Sequence, residues 1–244
     1  MQTAMIAGAG ILMLAGAAMG QTITQWNFNS TTPDNNTATG TLTPSIGSGA
    51  ASLVGGTTAT FASAAGSSDP VTSDDSGWNI ATFAAQGTNS GTRGVQFNIS
   101  TLGFENLTFS WDQRHSNASA RNVQFQYSID GTNFQNFATF EANAGDTWFN
   151  GRTVDLSSIA AANNNANFAV RVVAVFAPGT SGYVSSNSPG TAYGTTGTWR
   201  FDMVTLSGTA IAVIPLPPAA MAGFGTLAML AGFGALRRRR VSRA

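Results

Sequence analysis

The 244-residue chain has no cysteine, no lysine and a single histidine, and charged side chains make up only 9% of it. An ordinary soluble domain carries about 25%. Each absence removes a class of chemistry. Without Cys there is no disulfide framework, no thiolate nucleophile and no Cys-ligated zinc or iron–sulfur centre. Without Lys there is no Schiff-base chemistry and no phosphate-loop lysine. His115 alone cannot build a multi-histidine metal site. Glycoside hydrolysis uses two carboxylates across one cleft, and the only Glu residues, Glu105 and Glu141, stand in undistinguished loop contexts. The nucleophile-elbow pattern Gly-x-Ser-x-Gly is also missing. The expectation is a protein that is not an enzyme.

The neutral net charge conceals an asymmetry. Five of the 11 basic residues, Arg237, Arg238, Arg239, Arg240 and Arg243, crowd the C-terminal end. The other six face all 11 acidic residues, so the body of the chain is acidic. That excess argues against nucleic acid as a partner, because affinity there comes from neutralising phosphates.

Both ends are hydrophobic. From Ala4 to Met19 there is no charge, and Ile6, Ile11, Leu12, Met13 and Leu14 form a short apolar stretch. Ala18 and Gly20 then place small residues before Gln21, the layout of a cleaved export signal over residues 1–20, although its first residues lack Lys or Arg. At the other end Pro215, Pro217 and Pro218 stop any preceding strand. Residues 219–236 follow without a charge. As a helix they would reach about 27 Å, close to the thickness of a hydrocarbon core. The cluster Arg237–Arg240 comes next and is held on the cytoplasmic side, which leaves the bulk of the chain outside.

This order of Pro motif, apolar stretch and Arg cluster resembles the PEP-CTERM sorting tail of bacteria. The motif here is Ile214-Pro215-Leu216-Pro217, with Leu where the family pattern carries Glu. The resemblance covers residues 213–244. It implies recognition by an exosortase, a membrane-embedded cysteine transpeptidase, and removal of the tail. It implies a membrane-anchored precursor and a mature protein at the cell surface or in an exopolysaccharide matrix. A plain C-terminal membrane anchor is the alternative.

The body, residues 21–212, reads as one domain of short strands. Period-two alternation recurs about every ten residues between Gly, Asn and Ser clusters, which is the signature of an antiparallel β-sandwich. Strands are expected over 23–29, 51–56, 57–63, 77–84, 93–100, 106–113, 122–129, 133–140, 152–158, 167–176 and 198–208, with one helical turn over 156–162. Asp130-Gly131 predicts a two-residue type I′ hairpin. In the last strand, alternation predicts that Trp199, Phe201, Met203 and Thr205 share one face, opposite Arg200, Asp202, Val204 and Leu206. The strands, with Tyr127-Ser128-x-Asp130-Gly131-x-x-Phe134 and Trp199-Arg200-Phe201-Asp202-x-Val204, resemble the jelly-roll modules of bacterial surface proteins, which include carbohydrate-binding members.

Four groups stand out as site candidates. Asp202 could hold a structural calcium ion with Asn27, Asn29 or nearby carbonyls, since calcium takes six to eight oxygens; pairing with Arg200 or Arg171 is the plainer alternative. Asp69, Asp74 and Asp75 form a second acidic group in a Gly/Ser loop, without EF-hand spacing. Asp112 with His115 has the elements of a base, but no nucleophile is marked. The Trp residues read as core. Tyr183 and Tyr193 lie in a Gly/Ser/Pro loop and would be exposed platforms for stacking a glycan. Two functions are therefore expected: a non-enzymatic surface or matrix protein, or a calcium-stabilised carbohydrate-binding module.

Overall fold

The computed structural model describes residues 20–71 and 73–212. The expected export signal, sorting motif, membrane helix and Arg237–Arg240 cluster lie outside these residues. No helix among the described residues is long and apolar enough to cross a membrane.

Among the described residues, eleven strands form two antiparallel sheets. They are β1 (Gln21–Trp26), β2 (Ala50–Val54), β3 (Thr58–Ser63), β4 (Ser76–Ala81), β5 (Gly94–Asn98) and β6 (Phe104–His115). After them come β7 (Asn122–Ser128), β8 (Gln135–Glu141), β9 (Thr147–Asp155), β10 (Ala169–Ala174) and β11 (Trp199–Ala210). One sheet runs β3-β4-β11-β6-β9, with β1 also paired to β11; the other runs β2-β5-β10-β7-β8. Equivalent places in the two orders hold chain neighbours: β3 and β2, β4 and β5, β11 and β10, β6 and β7, β9 and β8. The chain thus winds back and forth between the layers. The expected helical turn is a single 3₁₀ turn, Ala160–Ala162.

The core lies between the sheets and is aromatic. Trp26, Trp111 and Trp199 are fully buried with Phe97, Phe109, Phe125 and Phe201. Trp111 of β6 stacks on Phe125 of β7 across the layers, ring centroids 5.9 Å apart. Alternation explains which residues enter: Val95 and Phe97, Val123 and Phe125, and Val170 and Val172 point in, so their neighbours point out.

Strict alternation fails in β11. Trp199 and Phe201 are in the core, but so are Val204 and Leu206, which the sequence reading set on the opposite face. A β-bulge shifts the register between Asp202 and Thr205, with Met203 at φ 46°. One extra residue exchanges the two faces of the strand beyond it. The bulge coincides with a change of partner: β4 pairs with Trp199–Phe201, whereas β1 pairs with Val204–Gly208. Asp202 and Met203 fall in the gap between these two collinear strands.

The β7–β8 connection also differs from expectation. It is a six-residue loop, residues 129–134, and not a two-residue type I′ turn. Gly131 takes φ 76°, while Asp130 is absent from the positive-φ residues. Instead the Asp130 carboxylate accepts hydrogen bonds from the backbone N–H groups of Thr132 and Asn133, at 2.9 and 2.8 Å. Asp side chains commonly close turns this way. These bonds, the Asn133 side chain first, hold the Asp130 carboxyl well below its ordinary range.

Candidate cation centre and polar sheet face

The gap between β1 and β4, beside the bulge of β11, holds an acidic cluster. Ligand oxygens of Asp69, Asp75 and Asp202 lie within 4.8 Å of one another. Three elements bring them together. The bulge aims Asp202, which is 0% exposed. Asp75 directly precedes β4, and Asp69 lies on the segment joining β3 to β4. Asn29, just past β1, links the parts: its amide donates to Asp69 Oδ2 (2.8 Å) and its Oδ1 accepts from the Ser76 N–H (2.7 Å). Ser67 Oγ donates to Asp202 Oδ2 at 2.6 Å, and the Met203 N–H donates to Asp202 Oδ1 at 2.7 Å.

The segment after β3 lies over this part of the six-stranded sheet. Asp112, opposite Asp202 in register, accepts from the Ser68 N–H (2.6 Å) and the Gly151 N–H (2.7 Å). Trp148 Nε1 donates to the Ala65 carbonyl and Asn150 to the Gly66 carbonyl, at 3.0 and 2.9 Å. Asp112 is therefore a clasp for this segment.

The electrostatics of the cluster are unbalanced. Burial pushes the Asp202 carboxyl up to about 8; the Ser67 and Met203 hydrogen bonds oppose the shift, and Asp69 and Asp75 add to it. Burial, then Asp69, pushes Asp75 up to about 6. Asp75 Oδ1 and both oxygens of Asp74 are buried without a partner among the described residues. Asp75 is 7% exposed and Asp74 2%. No salt bridge compensates them: the two ion pairs of the described residues are Arg114–Asp146 and Arg121–Glu141. Buried, unpaired carboxylates are costly. Asp75 and Asp202 must either be protonated or meet a cation, and an all-oxygen donor set suits a hard divalent ion.

The sequence reading saw Asp202 and the Asp69/Asp74/Asp75 group as separate candidates; the fold joins Asp69, Asp75 and Asp202. The alternative pairing of Asp202 with Arg200 or Arg171 is corrected. Arg200 donates to the Ser63 carbonyl. Arg171 lies on the other sheet. Of Asn27 and Asn29, Asn29 hydrogen-bonds into the cluster.

The Tyr residues also need correction as exposed platforms. Tyr183 is 3% exposed. It stacks on Tyr193 with ring centroids 4.8 Å apart. Their hydroxyls donate to the carbonyls of Thr88 (2.9 Å) and Ala84 (2.7 Å). Together they pin a Gly/Ser-rich loop to residues 84–88. Asp112 and His115 do not form a pair either. His115 is fully buried between Trp199 and Phe149, its Nδ1 3.1 Å from the Ala120 carbonyl, and burial holds its pKa well below the ordinary value.

A feature that the sequence reading missed lies on the outer face of the five-stranded sheet. The registers align Ser52 with Gln96, Gln96 with Arg171, Arg171 with Gln126, and Gln126 with Asn136. This is one unbroken polar row across all five strands. Its members are tied laterally: Arg171 Nε donates to Gln96 Oε1 (2.7 Å) and Gln126 Nε2 to Asn136 Oδ1 (2.9 Å). Gln96 donates to Asn98 Oδ1 at 2.9 Å. Phe134 covers the Arg171 guanidinium, whose carbon is 3.6 Å from the ring centroid. Asn136 is exposed; Ser52, Gln96 and Arg171 are half-buried; Gln126 lies deepest.

No family model matches the chain. No curated protein matches it either. Among solved structures it is similar to the CBM22-1–GH10 modules of Clostridium thermocellum xylanase 10B, complexed with xylohexaose (15% identity, TM-score 0.43, 68% of this chain and 27% of that one). It is also similar to the CBM22 tandem of Paenibacillus barcinonensis Xyn10C (10%, 0.43, 81% and 49%). A third is the K2 adhesin domain of Lys-gingipain (13%, 0.37, 80% and 99%). The chain spans less than half the length of both xylanase structures. These likenesses are too distant to assign a function.

Proposed function

We propose that the protein is a non-catalytic, exported surface or matrix module that binds polysaccharide on the outer face of its five-stranded sheet. A calcium ion at Asp69, Asp75 and Asp202 holds the segment between β3 and β4. The observation that carries the reading is the row Ser52–Gln96–Arg171–Gln126–Asn136. Planar amides and a guanidinium in a line fit a chain of hydroxyls, because each offers donors or acceptors at fixed angles. The row lies on a rigid sheet, so little order has to be imposed on binding. This favours the carbohydrate-binding expectation over an inert structural role.

The test is affinity electrophoresis of the purified full chain through gels containing soluble polysaccharides. The expected result is retardation that weakens about three- to tenfold with Gln96→Ala or Gln126→Ala, the loss of about one hydrogen bond each. Retardation indifferent to both variants would refute the assignment of the face.

Export and sorting rest on the sequence of the two ends. They predict that the protein recovered from producing cells lacks residues 1–20 and the tail near or beyond Pro217. Intact mass measurement checks this. A species retaining Arg237–Arg240 would mean a permanent anchor and no exosortase step.

A further inference from the structure

Arg171 occupies the middle of the polar row and is singular among the six Arg of the body. Arg114 and Arg121 pair with Asp146 and Glu141. Arg93 and Arg200 donate to backbone carbonyls of Thr82 and Ser63. Arg152 is buried between the Phe140 and Phe149 rings and donates to Gln113 Oε1 and the Glu141 carbonyl. Arg171 donates from Nε to Gln96 Oε1. Among the described residues no carboxylate pairs with it, and neither Nη group has an acceptor.

The guanidinium is nonetheless held in place. Gln96 fixes its Nε edge, and the Phe134 ring covers its flat face. What remains is the Nη1/Nη2 edge, a preset two-pronged donor on a half-buried cation. That edge matches a carboxylate, which accepts two parallel N–H bonds. A neutral sugar hydroxyl would use only one prong and leave the charge without a counter-ion. We infer that the polysaccharide taken by this face is acidic, a uronate polymer whose carboxylate seats on Arg171 while its hydroxyls meet Gln96, Gln126 and Asn136.

The acidic body of the chain opposes an anionic ligand at long range. Salt screens charge–charge interactions beyond about 8 Å at physiological ionic strength. A carboxylate in contact with the guanidinium lies well inside that length, so the local pair outweighs the diffuse repulsion. A cation at Asp69, Asp75 and Asp202 would reduce the repulsion further.

The inference rests on the proposed function, and the test separates the two. Hexasaccharides of galacturonate, glucuronate and mannuronate would each be titrated calorimetrically into the full chain, beside their carboxyl-reduced neutral counterparts. At least one acid form should bind ten times more tightly than its reduced form or better. Arg171→Gln should abolish that preference, so that acid and reduced forms bind alike; Arg171→Lys should restore only part of it. Thermal melting of both variants checks that the sheet is intact. If acid and reduced forms bind equally, and Gln126→Ala weakens both, the uronate assignment fails and the glycan face stands. If a preference for acid persists in Arg171→Gln, the residue assignment fails. If neither form binds and no gel polysaccharide retards the protein, both readings fail.

Discussion

The outer faces of the two sheets are built from similar alternation and end up as opposites. On the six-stranded sheet, a segment of chain covers the face and buries acids that lack partners. On the five-stranded sheet, the polar groups are tied to one another and remain half-open. The first face holds an unmet demand for a cation. The second holds an unmet capacity for hydrogen bonds and for one anion. The bulge at Met203 and the gap between β1 and β4 admit the Asp202 carboxylate and the covering segment, whereas β5, β10 and β7 pair without a register shift.

The severest way to break the comparison is to insert an alanine between Asp202 and Met203, one residue more than the bulge absorbs. The added residue would turn Val204 and Leu206 to the outside and forfeit two core side chains, each worth about 1.5–3 kcal/mol. The expected outcome is loss of folded protein, read by circular dichroism. Tyr183→Ala comes next. Truncating a buried aromatic costs about 3–5 kcal/mol, so the melting temperature should fall by roughly 10 °C or more at about 2–4 °C per kcal/mol. Glycan retardation by the remaining folded protein should not change, which sets Tyr183 apart from Gln126.

Calcium should act on one face alone. Calcium at 100 times its dissociation constant adds about 2.7 kcal/mol, or roughly 5–10 °C in melting temperature. Asp202→Asn should remove the gain. A smaller effect is expected from pH. In the metal-free fold, Asp75 and Asp202 hold their protons up to about 6 and about 8, well above the ordinary carboxylate range. Their raised values favour the fold fully below pH 4, and that contribution is lost as pH rises through 6 and 8. Melts in chelator should therefore fall from pH 5 to pH 8.5 relative to melts in calcium, since the ion replaces the protons. A calcium increment independent of pH would contradict the cluster's electrostatics.

Much of this fold was legible in sequence because alternation and glycine-rich breaks are local signals. Every expected strand is present, and alternation carries Val123, Phe125, Val170 and Val172 into the core. The cation cluster was legible only in pieces. Asp69 and Asp75 lie more than 120 residues from Asp202, and no local pattern encodes the bulge that lets them meet. Val204 was misplaced for the same reason. Tyr183 was misread because a loop poor in apolar residues can still be packed when two rings stack and both hydroxyls find carbonyls. The polar row escaped notice because Ser52, Gln96, Gln126, Asn136 and Arg171 are unremarkable singly. Strand register alone makes them a line, with period-two alternation in Val-Gln-Phe-Gln-Tyr as the signal that could have hinted at it.

The division between the faces is tested most directly by hydrogen–deuterium exchange of the full chain, first with calcium against chelator and then with a bound polysaccharide. Calcium is predicted to protect peptides spanning residues 64–76 and 199–205 and to leave β5, β7 and β10 unchanged; polysaccharide is predicted to protect β5, β7 and β10. Protection by both agents in the same peptides, or calcium protection confined to the five-stranded sheet, would contradict the account.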